Sequence, residues 1–255
     1  MIKVTYVDHM GSDLSVVNAA RVSFGKKSRY YYGDEPEVYG GGDWHEFNEA
    51  NHMLDKDTKL INYLAKHKHT SPFGHAFASF HVKAPVFVAR QLVKHKFLRW
   101  NEISRRYVSD GPEFYVPDNW REKANDKKQG SGSGFVNELL CNDTDEYADD
   151  KAYLADYWGM DTSSYVEDNV YSNALAIYEE LLENNVCPEQ ARMVLPQSTM
   201  TEWYWSGSLD AFADMCNLRL KTDTQYETQL VAQQIDQIML GLFPVSWEAL
   251  VYGDD

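Results

Sequence analysis

The sequence has few cysteines and no long apolar run, and each shortage excludes a class of protein. Its 255 residues include only three cysteines, Cys141, Cys187 and Cys216, and this odd, sparse count does not fit a disulfide framework. No stretch approaches the roughly 20 apolar residues that cross a membrane, and residues 1–10 lack the apolar core of a secretory signal. We therefore expect reduced thiols in a cytoplasmic protein without membrane partners (host cytoplasm if the source is a virus), with Cys187 and Cys216 structural rather than nucleophilic.

Positive charge is also scarce. The chain has 24 lysines and arginines against 39 aspartates and glutamates, a formal net charge of −15. This balance argues against a nucleic acid as partner over the whole surface. Residues 94–106 run against the trend, with five basic residues and one glutamate. Such a cluster suits an anion such as phosphate, although a solvated basic face is the commoner meaning of a charge run.

A helix is predicted to lead into this basic segment from Pro85, because proline fits the first helical position. Val86, Ala89 and Val93 recur at helical spacing and predict its buried stripe. Residues four apart share a helix face, which pairs Arg90 with Lys94 and Gln91 with His95. Asparagine, glutamate and serine then alternate with arginines up to Tyr107. Mixed hydrogen-bonding groups beside an aromatic ring indicate a site that reads the edge of a nucleobase or a flavin.

A longer motif runs through this segment. Lys94-His95-Lys96 is followed by seven residues and Ser104. Four more positions stand in register, namely Asn101, Glu102, Arg106 and Tyr107. The pattern resembles the signature of the flavin-dependent thymidylate synthases, which is an Arg-His-Arg triplet and a serine at the same spacing, within Asn-Glu-x-Ser-x-Arg-Tyr.

Three distant segments resemble the same family. Residues 66–73, KHKHTSPF, are similar to a segment that contacts the flavin, with Ser71 in the hydroxyl position. Residues 191–196, ARMVLP, match a segment whose arginine, here Arg192, helps to bind the nucleotide. Arg219 matches the arginine that contacts the uracil ring.

The sequence departs from the family in two places. Lys94 and Lys96 replace arginines, which keeps the charge and loses the bidentate guanidinium fork. Ser208 and Asp210 stand where relatives often have asparagine and arginine for flavin contact.

The resemblance implies a full set of site residues. We expect Arg219 to polarise the substrate and Ser104 to position it, with no metal ligand. The residues expected to bind dUMP are Gln91, Lys94, Glu102, Ile103, Ser104, Arg105, Arg106, Arg192 and Arg219. The residues expected to bind FAD are Ser71, Lys94, His95, Lys96, Glu102 and Ser208.

The resemblance also implies the reaction and the architecture. We expect reductive methylation of dUMP to dTMP, with 5,10-methylenetetrahydrofolate as carbon donor and NADPH-reduced FAD as hydride source. The implied fold is α+β, with mixed helices around a small antiparallel sheet, in a homotetramer with shared sites. The whole chain, 1–255, is expected to be one domain with insertions near 25–55 and 121–165.

Local patterns predict the elements independently. β-Branched and aromatic runs predict strands over 2–7, 76–83, 113–116 and 199–206. Helical periodicity predicts a helix capped by Asp13, helices over 55–68, 166–185, 208–220 and 225–242, and a short one from Pro188. A flexible loop is predicted over 121–134. Arg192 is predicted to be buried, with either a nucleotide or Glu189 as its anionic partner.

Two other classes of function stay open. His67, His69, His75 and His81 favour a metal-dependent hydrolase if they converge, although none of them are spaced as in a helical zinc motif. A non-catalytic nucleotide- or RNA-binding module would use the basic segment and the tyrosines.

Overall fold

The computed structural model describes residues 1–32, 51–107, 111–125, 130–137 and 161–253. The strands are β1 (Lys3–Met10), β2 (Tyr31–Tyr32), β3 (Asn51–His52), β4 (Phe77–Pro85), β5 (Leu98–Glu102), β6 (Arg121–Lys123), β7 (Ser131–Phe135) and β8 (Met200–Ser208). The α-helices are α1 (Asp13–Arg21), α2 (Asp55–Lys66), α3 (Val86–Leu92), α4 (Thr162–Val166), α5 (Ser172–Glu183), α6 (Pro188–Ala191), α7 (Leu209–Arg219), α8 (Tyr226–Leu242) and α9 (Pro244–Trp247). In the described part of the chain, no helix combines the length and the apolar character needed to cross a membrane.

The principal sheet is antiparallel and has four strands in the order β1-β4-β8-β5. Side chains alternate between its faces, so Phe80 of β4 and Trp203 and Trp205 of β8 are buried on one face. Phe212 of α7 packs edge-on against that face, with its ring centroid 5.1 Å from Phe80 and 5.4 Å from Trp205. Mixed helices around a small antiparallel sheet, the predicted α+β architecture, are therefore confirmed.

Asp13 links helix α1 to helix α9 by hydrogen bonds. Ser12, not Asp13, is the N-cap of α1, so the predicted capping role is wrong. The buried Asp13 carboxylate instead accepts hydrogen bonds from the backbone N–H groups of Val245 at 3.0 Å and Ser246 at 2.8 Å. Asp13 thus satisfies the first N–H groups of α9, which would otherwise lack partners. Burial raises the pKa of this carboxyl, although the bonds to Ser246 and Val245 oppose the shift.

The predicted loop over 121–134 is wrong for its two ends, which form the β6–β7 hairpin. Arg121 pairs with Phe135 and Lys123 with Ser131. Glycine allows the two strands to approach closely here, because a Cβ on Gly132 would lie 3.2 Å from the Lys123 carbonyl oxygen. A glycine- and serine-rich strand carries no β-branched signal, which explains why the sequence pattern missed it.

Two other local predictions need correction. Residues 113–116 form no named strand, and Phe114 makes an isolated bridge to Thr199. The helix predicted over 166–185 is broken by a π-helical turn over Glu167–Tyr171. The turn shifts the helix phase, and Tyr178 is buried while Val170 and Ile177 are 42% and 47% exposed.

Candidate active site

Helix α3 begins at Val86 and brings the motif to the sheet. Its buried side consists of Val88, Ala89 and Leu92. Ala89 is buried as predicted, whereas Val86 is only half-buried and Val93 is 48% exposed, so the predicted stripe is correct at one of its three positions. The helix ends at Leu92, which places Lys94, His95 and Lys96 in a turn rather than on the helix.

The turn between α3 and β5 is held in one conformation. The His95 N–H donates to the Leu92 carbonyl at 3.1 Å. Phe97 has a φ of 65°, unusual for a residue with a side chain, and its side chain is 82% exposed. The turn packs closely against Gly207 of β8. A Cβ on Gly207 would lie 2.4 Å from the Leu98 side chain and 3.1 Å from the Phe97 carbonyl oxygen, so glycine permits this close packing.

The turn connects His95 to Arg219 at the end of α7. Arg219 Nε donates to His95 Nε2 at 3.0 Å. Burial, and then the positive charge of Arg219, lower the pKa of His95 to about 4. Near neutral pH the imidazole is therefore uncharged and able to accept this bond. Burial also lowers the pKa of Arg219, but a guanidinium stays protonated at physiological pH.

Gln91 is held by α8 and the turn before it. Its Nε2 donates to Gln225 Oε1, and its Oε1 accepts from the hydroxyl of Thr228 at 3.3 Å. Thr228 is fully buried. Sequence patterns missed Gln225 and Thr228, although a polar residue on the inward face of an amphipathic helix is a usable signal.

The Glu102 carboxylate is oriented by two neighbours in the sheet. Thr201 Oγ1 donates to Glu102 Oε1 at 2.7 Å, and Trp100 Nε1 donates to Oε2 at 3.1 Å. Trp100 stacks on Trp203 with ring centroids 4.3 Å apart. Two fixed donors and an exposed position leave this acidic group ready to meet a ligand.

Ser104 lies beside Arg106 at the end of β5. Its Oγ accepts from the backbone N–H and the Nε of Arg106, each at 3.3 Å. Arg106 Nη1 also lies 3.3 Å from Glu189 Oε1, and the guanidinium stands 5.1 Å from the Tyr107 ring centroid. An arginine donor does not deprotonate a hydroxyl, so this setting suits positioning rather than nucleophilic attack.

Arg192 is exposed, so the prediction that it is buried is wrong. It lies in the turn after the short helix α6, and Glu189 pairs with Arg106 instead. Ser71 is also exposed, at the start of the 3₁₀ turn before β4, whereas Ser208 is buried at the N-cap of α7. Within the described part of one chain, none of these three residues forms a hydrogen bond or ion pair with His95 or Arg219.

A cleft of about 680 Å³ lies elsewhere, beside the β6–β7 hairpin. Its wall includes Phe87, Tyr115, Trp120 and Gln225. Of the described residues, none of those predicted for the site line it.

The histidines do not converge. His67 and His69 have ring centroids 6.4 Å apart, while His81 Nε2 lies 3.0 Å from the Glu202 carboxylate on β8. Within the described ranges, no group of three or more histidine, cysteine or acidic side chains is arranged to hold a metal.

The two described cysteines differ. Cys216 is buried, its Sγ lies 3.7 Å from the Ala232 carbonyl, and burial raises the pKa of its thiol. It is therefore structural, as predicted, and unsuited to act as a nucleophile. Cys187 is exposed, so the prediction of a structural role is not supported by packing. Cys141 lies outside the described residues.

Comparisons with known proteins agree with the motif. The family model described as thymidylate synthase complementing protein matches residues 5–245. Flavin-dependent thymidylate synthases of Thermus thermophilus and Thermosipho africanus are each 35% identical and align with 96% of this chain, over 74% and 89% of their own lengths. A crystal structure of the UMP/dUMP methylase PolB from Streptomyces cacaoi bound with 5-Br dUMP is similar, with a TM-score of 0.71 and 30% identity over 99% of this chain and 95% of that one. The chain therefore belongs to the flavin-dependent thymidylate synthase family.

The residues present fit a flavin in charge and in hydrogen-bonding capacity. Lys94 and Lys96 are exposed and form no ion pair with another residue of the described ranges, so their charges can meet anionic groups. Phe97, next to Lys96 in the chain, and Tyr107, at the end of the same segment, expose their aromatic rings. In helix α7, Asp210 Oδ1 is buried without a hydrogen-bond partner in the described part of the chain, which leaves an acceptor for a donor group.

Proposed function

We propose that this enzyme converts dUMP to dTMP. The one-carbon donor in this proposal is 5,10-methylenetetrahydrofolate, and NADPH reduces the bound FAD. The observation that carries the proposal is the junction of Arg219 with the Lys94–Tyr107 segment through His95. The names of the curated relatives and the dUMP analogue bound to the similar methylase support it.

Arg219 is proposed to polarise the pyrimidine ring. Carbon 5 of uracil is a weak nucleophile, and the described part of the chain offers no activated cysteine to add at carbon 6. A guanidinium at N3 and a ring carbonyl oxygen would instead stabilise the negative charge that develops on the ring. Fixed donors of this kind account for most of the rate enhancement in many enzymes.

The nucleotide is proposed to lie along the β5 edge. Arg105, Arg106 and Arg192 would bind its phosphate with Ser104, because guanidinium forks match phosphate oxygens. Gln91 and Glu102, each held by two neighbours, would orient the base and sugar together with Lys94 and Ile103. Preorganised side chains lose little entropy when the substrate binds.

FAD is proposed to bind at Ser71, Lys94, His95, Lys96, Glu102 and Ser208. When bound, the flavin supplies the hydride chemistry that no side chain provides. The chain contributes charge for the phosphates and a water-excluding position for the ring. Ser71 and Ser208 form no hydrogen bond to His95 or Arg219 in the described part of one chain, which supports a flavin site completed by a neighbouring subunit. We accordingly propose the homotetramer, with exposed Phe97, Ile103 and Met193 covered by neighbouring subunits.

The visible absorption spectrum of purified protein tests the proposal. The expected result is a flavin spectrum, lost on anaerobic addition of NADPH, and dTMP formation when dUMP and methylenetetrahydrofolate are present. Protein that stays colourless after incubation with FAD would contradict the proposal. The histidines would then be tested for a bound metal ion.

A further inference from the structure

Arg219 and His95 form one hydrogen-bonded unit across two distant parts of the chain. Arg219 is the last residue of α7, and His95 lies in the turn between α3 and β5. The bond between Arg219 Nε and His95 Nε2 is 3.0 Å long, and both side chains are half-buried. The family signature associates this histidine with the flavin, but here its Nε2 is already occupied.

The direction of the bond fixes the protonation state of His95. Arginine has five N–H donors and no acceptor. The imidazole must therefore accept at Nε2 and carry its single proton on Nδ1. A protonated ring would present a second donor and a like charge to the guanidinium.

The bond also leaves Arg219 with a defined donor set. Its Nε–H is used, and its four N–H groups on Nη1 and Nη2 form no hydrogen bond with the described residues, so they remain for a ligand. Because the guanidinium is planar, fixing Nε fixes the directions of all four. A neutral partner leaves the positive charge uncompensated, whereas a carboxylate partner would neutralise it.

His95 itself is placed by backbone structure. Its N–H bonds to the Leu92 carbonyl at 3.1 Å, and the left-handed Phe97 follows two residues later, packed against Gly207. A non-glycine residue keeps such a conformation only where the surrounding structure holds it. The turn therefore acts as a rigid support for the imidazole.

We propose that His95 is a positioning residue for Arg219, holding the guanidinium as a neutral acceptor so that its Nη groups meet the pyrimidine of the substrate. This role rests on the proposed function and adds to it, because it assigns the imidazole to the nucleotide side of the site. His95 acts through Arg219 and touches no reacting atom.

A double-mutant cycle on the FAD-saturated protein tests this role, with dUMP affinity measured by titration calorimetry. H95F keeps a ring and removes the acceptor, H95Q keeps an acceptor near the position of Nε2, and R219K keeps the charge and removes the Nε–H. Saturating FAD keeps changes in flavin affinity out of the measurement. H95L replaces H95F in the cycle if the H95F chain does not fold.

The expected result is that H95F weakens dUMP binding about tenfold, the size of a lost hydrogen bond to a charged group. The Kd of H95Q for dUMP should stay within about threefold of the wild-type value, a change smaller than the loss of one hydrogen bond to a charged group would cause. H95F should have less than about a twofold effect in the R219K background, because coupled residues are not additive. Equal effects of H95F in both backgrounds, or an H95Q protein as weak as H95F, would overturn the positioning role. A wild-type protein that does not bind dUMP would overturn the proposed function itself.

Discussion

Arg121 and Arg219 differ in the charge of the side chain that each one contacts. Arg121 of β6 donates to both oxygens of the buried Glu227 carboxylate at 2.9 Å and stands 5.1 Å from the Tyr226 ring centroid. Arg219 donates to a neutral imidazole instead. The first charge is neutralised inside the protein and fastens the β6–β7 hairpin to α8. The second charge remains available, which is what an anion-stabilising site needs.

The largest expected effect comes from removing the available charge. R219A should lower kcat/KM for dTMP formation about 10³-fold, because fixed donors at a developing charge contribute about this much. Steady-state assays at saturating FAD measure it. R121A is the matched control, since it should reduce stability while the folded fraction turns over at near the wild-type rate. If kcat/KM of R219A stays within tenfold of the wild-type value, the charge of Arg219 is not the catalytic feature that separates it from Arg121.

Breaking the neutralised pair should affect stability. E227Q leaves Arg121 facing an uncharged amide, and we expect the free energy of unfolding to fall by about 2 kcal/mol, below the range for fully buried pairs because Arg121 is partly exposed. Urea denaturation measures the change. E189Q, which breaks the exposed Arg106–Glu189 pair, should cost less than about 1 kcal/mol. Equal losses would mean that burial does not separate these two ion pairs.

The neutral state of His95 predicts a pH dependence. Its folded pKa of about 4 lies below the usual value of about 6.5, so the unfolded chain binds more protons between these pH values. Stability contributed by His95 is therefore present above pH 6.5 and is lost as the pH falls toward 4. The free energy of unfolding, measured by urea denaturation, should rise with pH more steeply for wild type than for H95Q in this window. The two slopes should differ by at most about 1.4 kcal/mol per pH unit. Parallel pH profiles would show that His95 is not held neutral.

The smallest expected effect concerns the exposed lysines. K94R combined with K96R restores the guanidinium forks of the family signature and should tighten FAD binding about fivefold, equivalent to one added hydrogen bond of about 1 kcal/mol. Quenching of flavin fluorescence measures the affinity. Unchanged affinity would show that these positions contribute charge alone.

The sequence predicted the parts of the site that depend on local pattern. Strands over 76–83 and 199–206 and the helix over 208–220 agree with β4, β8 and α7, because alternation and helical periodicity are short-range signals. Strand β5 was missed, since LRWNE alternates only weakly and follows a turn with a left-handed phenylalanine.

Contacts between distant residues lay beyond prediction. Arg219 and His95 are 124 positions apart, and Gln91 and Gln225 are 134 apart. No periodicity encodes such a pair, because it depends on how α3 and the corner between α7 and α8 pack in three dimensions. The error for Arg192 has the same origin, since apolar neighbours in a short helix do not establish which face packs inward.

The Asp13 bonds to Val245 and Ser246 have a consequence for synthesis. Until residue 246 has emerged from the ribosome, the Asp13 carboxylate lacks the two N–H donors that compensate its burial. The N–H of Val4 in β1 donates to Gln234 Oε1 at 2.9 Å, so it too lacks its partner until α8 has been made. Strand β1 and helix α1 are therefore among the last of the described elements to reach their native burial.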